Sequence, residues 1–445
     1  MSCSDGETDD DEEEVTAWDE GAIGCPVEDL PRLDSDPSPS LETLLRNAQR
    51  FHALHPAPTR DNLMSMLPDG QHAVHAAEAR VIVHARVLEL IDKFLTYKRG
   101  SGTDIERSIY QSMTRDEFVA RLICNRPLSF MSASDTTLLR TRVRPRGSDW
   151  FLVGMPSENE SSIQMSSYLT GGRYNRGRKR SSGSFIRNGI VIGAVGCRFE
   201  QPGRMESQFI IVAMDDQPEG GELKSLWASL YDIHAFPSYN DVKTAVGAGS
   251  EDFAVLGPDS YFNVAAYKQR IALTIETVFA DANDRATTAG KYAYVHVVGL
   301  GLGVWKVHAS QPRWFVDAVA DVLNRVRFPM IGIIDFSWFS LPSPATCGGA
   351  QHEDRLATPV GNSVQIRFSK RDPADPLSGI PPNSMLLVAT YAWDGNAFPG
   401  NEIYTGSLCG SGDPATAACC TIYELHNPYI NPYFGKVFTA PSSAT

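Results

Sequence analysis

The densest group of side chains able to do chemistry lies late in the chain. Met385–Asn431 begins as an apolar strand, MLLVAT, and passes after Thr390 into a Gly- and Pro-bearing loop that carries Asp394, Asn396, Asn401, Glu402 and Asp413. Three acids on one loop are more than turn geometry requires. Carboxylates grouped in this way can orient a sugar hydroxyl, hold a cationic leaving group or activate water. They could also gather Mg²⁺, because hard cations take oxygen ligands. Each residue has a plainer use as well. Asp394-Gly395-Asn396 has the composition of a turn, and Glu402 could be a solvated loop charge. Asp413 before Pro414 has the form of a helix N-cap followed by proline at the first helical position. Capping and catalysis are compatible at that residue.

A second candidate is Val295–Val307, VHVVGLGLGVWKV, where a buried-type strand runs into Gly299, Gly301 and Gly303, with Val304 and Trp305 behind them. Glycines let backbone N–H groups approach a diphosphate, and the helix that opens near Ser310–Pro312 would favour the anion. A tight strand-to-helix turn would use the same glycines. The dinucleotide fingerprint fails, because Gly301-Leu302-Gly303 is followed by Val304-Trp305-Lys306. A third stretch, Gly189–Val212, encloses Arg198, Glu200, Arg204 and Glu206 between two apolar runs. These could clamp a phosphate or a partner chain, but mutual pairing within the fold is the preferred reading. Cys409 with His426 as a base would be a thiol-nucleophile alternative; a lone loop cysteine is more often a bystander. The basic loop Arg173–Arg180 reads as solvated ahead of a nucleic-acid contact, a localisation signal or a kinase target at Arg178–Ser182.

The elements that must position these residues follow from periodicity. Short apolar runs predict strands near Gly189–Val195, Phe209–Ala213, Tyr292–Val298, Met330–Ile334, Val364–Phe368 and Met385–Thr390. Longer amphipathic runs predict helices near Ser260–Ala280, Trp314–Arg325 and Pro414–Leu425. Strands separated by helices imply a mixed or parallel sheet covered on both faces, whose ligands sit at the carboxyl ends of strands. His75–Lys98 and Arg115–Cys124 carry helical spacing, so residues 46–165 are expected to form a helical N-terminal region. Gly171–Ser184, without apolar period, separates it from a core over residues 185–435. No internal repeat has a solenoid period.

The 445 residues carry a net charge of −13, much of it in the run Asp9–Glu14. Residues 1–45 are expected to be a disordered acidic tail, since such a segment buries too little apolar surface to offset its ordering entropy. The rest is mildly acidic, so neither a nucleic-acid partner nor a membrane surface is expected. No secretory start and no run near the roughly 18 apolar residues of a membrane helix is present, which points to the cytosol or nucleus, with the cytoplasm preferred. The eight cysteines lack C-x-x-C spacing and read as reduced core residues.

Asp394-Gly395-Asn396, Pro399-Gly400-Asn401-Glu402 and Ser411-Gly412-Asp413-Pro414-Ala415 through Cys419-Cys420, with Gly193–Glu200 upstream, resemble the MavL-like family. That family comprises macrodomain-type ADP-ribosylarginine hydrolases. The resemblance covers residues 120–435 and is most specific in the late loop. It implies an α/β macrodomain-like α/β/α sandwich with mixed sheet, binding ADP-ribose and releasing it from a modified arginine without a cofactor. The partner it implies is an ADP-ribosylated protein, with ubiquitin, the substrate of the family's bacterial effector, as one candidate. Its catalytic acids would fall on Asp394, Glu402 and Asp413, the middle position being an aspartate in that effector. Ligand contacts would come from Asn396, Asn401, Gly299, Gly301, Gly303, Val304 and Trp305. The acidic loop follows the glycine turn here, an order that suggests a circular permutation of the ordinary macrodomain. The same fold used only to read ADP-ribose, or to bind ubiquitin, is the alternative.

Overall fold

Buried-type strands and one long helix organise the molecule. The computed structural model describes residues 40–50, 76–78, 80–102, 107, 110–116, 118, 163–169, 189–199, 206–214, 222–371, 377, 384–392, 431 and 437–440. The described helices are α1 (Leu41–Arg50), α2 (Ala85–Ser101), α3 (Ser207–Ile210), α4 (Glu222–Leu230), α5 (Tyr239–Gly247), α6 (Val264–Ala289) and α7 (Gln311–Arg325). The strands are β1 (Arg80–His84), β2 (Ile163–Leu169), β3 (Gly189–Ala194), β4 (Ile211–Ala213), β5 (Phe253–Gly257) and β6 (Ser260–Asn263). They continue with β7 (Tyr292–Val297), β8 (Ile331–Ser337), β9 (Arg355–Ala357), β10 (Ser363–Ser369), β11 (Met385–Ala392) and β12 (Val437–Ala440).

Among the described residues nine strands form one mixed sheet in the order β12-β1-β2-β3-β11-β7-β8-β10-β9. β2 and β9 run antiparallel to their neighbours, while β12, β1, β3, β11, β7, β8 and β10 share one direction. Their carboxyl ends therefore share one edge. A small antiparallel sheet, β4-β6-β5, packs beside it. The expected mixed α/β class is observed.

α6 anchors the larger core. From Arg270 to Ala282 every residue is buried, as expected for a helix covered on all sides. Val295 and Val297 of β7 and Ile334 and Phe336 of β8 share its apolar cluster with Phe315 and Val319 of α7. Asn263 starts α6, its side chain accepting from Ala266 N–H at 2.9 Å. Glu276 in mid-helix accepts from both His84, at 2.9 Å, and Arg325. Burial alone would raise the Glu276 pKa, but those two partners hold it below the usual carboxylate value.

Several elements differ from the sequence expectations. His75–Lys98, expected as one helix, contains β1, a parallel partner of β12, before α2 begins at Ala85. The β-branched run Val81-Ile82-Val83 outweighs the helical spacing around it. Phe209 and Ile210 belong to α3, and the strand starts at Ile211. Ser260–Asn263 is a strand preceding α6 rather than its first turn. The acidic tail up to residue 39, the loop Gly171–Ser184 and the helix Pro414–Leu425 lie outside the described residues. Among the described residues no helix is long and apolar enough to cross a membrane.

Candidate active site

β7 delivers the glycine turn to the carboxyl edge of the sheet. There Gly301 adopts φ 72°, a left-handed conformation that favours glycine. The chain leaving β3 crosses it at backbone contact. A Cβ on Gly196 would fall on Gly301 N and Leu300 C, and one on Gly301 would lie 2.8 Å from Cys197 O. Gly299 is closed in by the Leu302 side chain, whereas among the described residues nothing lies within 4 Å of a Cβ at Gly303. The open part of the turn is thus Gly303 and Val304, the latter 88% exposed. Trp305 is buried, and its indole N–H has no acceptor among the described residues.

The helix after the turn offers less to an anion than its position suggests. Gln311 Oε1 accepts from both Val307 N–H and His308 N–H at 2.7 Å, so those amides are already engaged. His308 stacks on Trp314 at 4.7 Å, and burial lowers its pKa. Its Nδ1 accepts from Ser310 N–H at 3.1 Å.

Behind the turn stands a buried ionic network. Glu206 accepts from Arg270 Nε at 2.9 Å and from Arg198 N–H at 3.1 Å. Arg270 also donates to Thr274 Oγ1 at 2.7 Å and to Val195 O at 3.3 Å. Burial opposes the Arg270 charge, but Glu206 and its neighbours more than offset that and raise the pKa. The Arg198 guanidinium lies over Trp305, 4.9 Å from the ring centroid. The polar residues between the two apolar runs therefore act structurally at Arg198 and Glu206, as preferred from sequence. Their main partner, Arg270, comes from α6, and neither spacing nor motif announced it. Glu200 and Arg204 lie outside the described residues. Burial pushes the Cys197 thiol far up, which leaves it inert as a nucleophile.

β11 runs to the same edge of the sheet. It lies between β3 and β7, parallel to both. Its last residue, Ala392, pairs with Ala194, two positions before Asp394. From β7 the chain proceeds to β8 on one side, while from β11 it proceeds to β12 at the far end of the sheet. Adjacent parallel strands whose connections leave in opposite directions form a topological switch point, where open α/β sheets bind ligands. Asp394, Asn396, Asn401, Glu402 and Asp413, together with Cys409 and His426, lie outside the described residues.

On the sheet face away from α6 and α7, Tyr294 and His296 of β7 stand beside Asp335 of β8. Asp335 Oδ2 accepts from Tyr294 at 2.6 Å and from Ser369 at 2.9 Å, and His296 Nε2–H donates to Arg371 O at 2.8 Å. Burial lowers the His296 pKa to about 4. Sequence reading passed over this cluster because a single His or Asp inside an apolar strand carries no spacing signal. Among the described residues no three His, Cys, Asp or Glu side chains are grouped to hold a metal.

The family model for MavL-like ADP-ribosylhydrolases matches residues 68–438. This chain belongs to that family. It is 34% identical over 410 residues to ADP-ribosylarginine hydrolase CG3568 of Drosophila melanogaster, covering 80% of this chain and 76% of the relative. It is 30% identical over 402 residues to ADP-ribosylarginine hydrolase CG2909 of the same organism, covering 80% and 77%.

Proposed function

We propose that this MavL-like chain hydrolyses the N-glycosidic bond between ADP-ribose and an arginine side chain of a modified protein. We assign the reaction to a macrodomain-like α/β/α core over residues 185–435, to whose sheet β1, β2 and β12 add strands. One observation carries the reading. The strand that ends in the glycine turn and the strand that ends just before Asp394 are parallel neighbours at a switch point. Membership of an ADP-ribosylhydrolase family, with two relatives named ADP-ribosylarginine hydrolases, supports it.

In this mechanism the turn around Gly299, Gly301 and Gly303, with Val304 and Trp305, receives the diphosphate. Fixing that remote group orients the distal ribose for attack. Asp394, Asn396 and Asn401 hold ribose hydroxyls and the guanidinium. Glu402 or Asp413 takes a proton from water as its oxygen bonds to the anomeric carbon. The bond from that carbon to the arginine nitrogen breaks through an oxocarbenium-like transition state. The nitrogen leaves with its electron pair and takes up the proton that the carboxylate drew from water, restoring arginine, freeing ADP-ribose and returning the carboxylate to its ionised form. The chemistry needs no resident metal or cofactor. Ubiquitin is one candidate substrate, and the cytoplasm the proposed compartment.

The test is release of ADP-ribose from arginine-modified protein, modified ubiquitin included. Asp394→Ala should slow turnover by roughly 100-fold or more, the scale of a misplaced reacting group. Wild-type turnover in that variant would remove the assignment, and binding of free ADP-ribose without any release by the native protein would identify a reader instead.

A further inference from the structure

We infer that Thr390 is a positioning residue that parts β11 from β7 and so sets the gap between the glycine turn and the loop that carries Asp394. The β11–β7 ladder runs in register from Met385 opposite Tyr292 to Ala389 opposite His296 and stops there. Thr390 therefore opposes Val297, and in a parallel pair its backbone carbonyl would next accept the Val298 N–H. That N–H bonds instead to the Thr390 hydroxyl, at 3.1 Å, while the same hydroxyl donates to His296 O at 3.0 Å. A side chain has captured the last rung.

The other side of β11 behaves differently. Its ladder with β3 continues through Thr390 opposite Ile192 to Ala392 opposite Ala194. Beyond Ala389 the strand thus stays with β3 and leaves β7, and the departure begins one residue before β7 turns out into Val298 and Gly299. Thr390 is 1% exposed, and its hydroxyl both gives and takes a bond, so nothing about it is left for solvent to satisfy. Serine could make the same two bonds. Valine keeps the shape and branching but makes neither, leaving the Val298 N–H and the His296 carbonyl to recover a backbone rung by drawing β11 inward.

This inference rests on the loop after β11 being catalytic, and its test separates the two claims. Thr390→Val, Thr390→Ser and Asp394→Ala are assayed for turnover of arginine-linked ADP-ribose, with hydrogen exchange at the Val298 amide as a readout that needs no substrate. Thr390→Val should lower kcat by roughly 30- to 100-fold, the scale of a misplacement near 1 Å, with KM changed by less than about threefold. Thr390→Ser should stay within about threefold of the native kcat. The Val298 amide should exchange slowly in the native protein and in Thr390→Ser, and at a changed rate in Thr390→Val. Native kcat in Thr390→Val, an equal loss in Thr390→Ser, or Val298 exchange unaltered by valine would each overturn the inference. Native turnover in Asp394→Ala would remove the catalytic reading alone, and the amide measurement would then decide the strand geometry by itself.

Discussion

On one side of the glycine turn, the chain leaving β3 comes so close to Gly301 that neither backbone has room for a methyl group. On the other side, β11 and β7 exchange their last rung through the hydroxyl of Thr390. The first boundary is held by packing and by a buried ion pair behind it, so it can only keep its shape or break. The second is held by two hydrogen bonds to one side chain, so it can be adjusted by substitution. The proposed site thus pairs a fixed wall with a tunable one.

The sharpest way to break the fixed wall is to remove the charge behind it. Glu206→Ala would leave Arg270 buried without its carboxylate and should cost about 3–5 kcal/mol, the range for an orphaned buried charge. Chemical denaturation measures it, and a loss below about 1 kcal/mol would mean that the network does not brace the turn. Next comes the crossing itself. Gly196→Ala should cost at least about 1–3 kcal/mol, because the added methyl meets backbone that cannot step aside. Gly303→Ala, with open space around it, should stay within about 0.5 kcal/mol. Equal melting temperatures for the two variants would erase the contrast between closed and open glycines.

A further expected effect concerns the opposite face of the sheet. The His296 pKa lies near 4 in the folded protein because burial disfavours the imidazolium, against about 6.5 in an unfolded chain. Between those values the unfolded state binds more protons, so stability is full above about pH 6.5 and falls as the pH drops toward 4. Moving from pH 7 to pH 5 should cost about 2 kcal/mol through this one group. His296→Gln should flatten that part of the profile, and parallel profiles for the two proteins would assign the slope elsewhere.

Much of the sheet was legible because its central strands are apolar runs bounded by turns. YAYVHV became β7, and the start of β11 was placed at Met385 from the same kind of signal. The helix Gln311–Arg325 was marked by Pro312 and its apolar spacing. What escaped depended on partners distant in the chain. β1 is a strand because β12, some 350 residues on, lies beside it, and β9 is three residues with no period to detect. Asn263 hid a helix start because the strand before it shares the apolar character of the helix. In the site, the glycine turn was visible as composition, but the reason for Gly301 lies at Cys197 and the partner of Glu206 lies on α6. The role of Thr390 depends on which carbonyl and amide it faces, and sequence spacing holds no record of that.

The position of β11 also bears on how the chain is made. The middle of the sheet, between β3 and β7, is filled by a strand made only after β8, β9 and β10 have emerged. Until Met385–Ala392 leaves the ribosome, β3 and β7 each present an unpaired inner edge flanked by apolar side chains. Such edges recruit foreign strands, and pairings this distant form slowly. Nascent chains halted before Met385 should therefore associate with holdase chaperones or aggregate, and completion of β11 should release them.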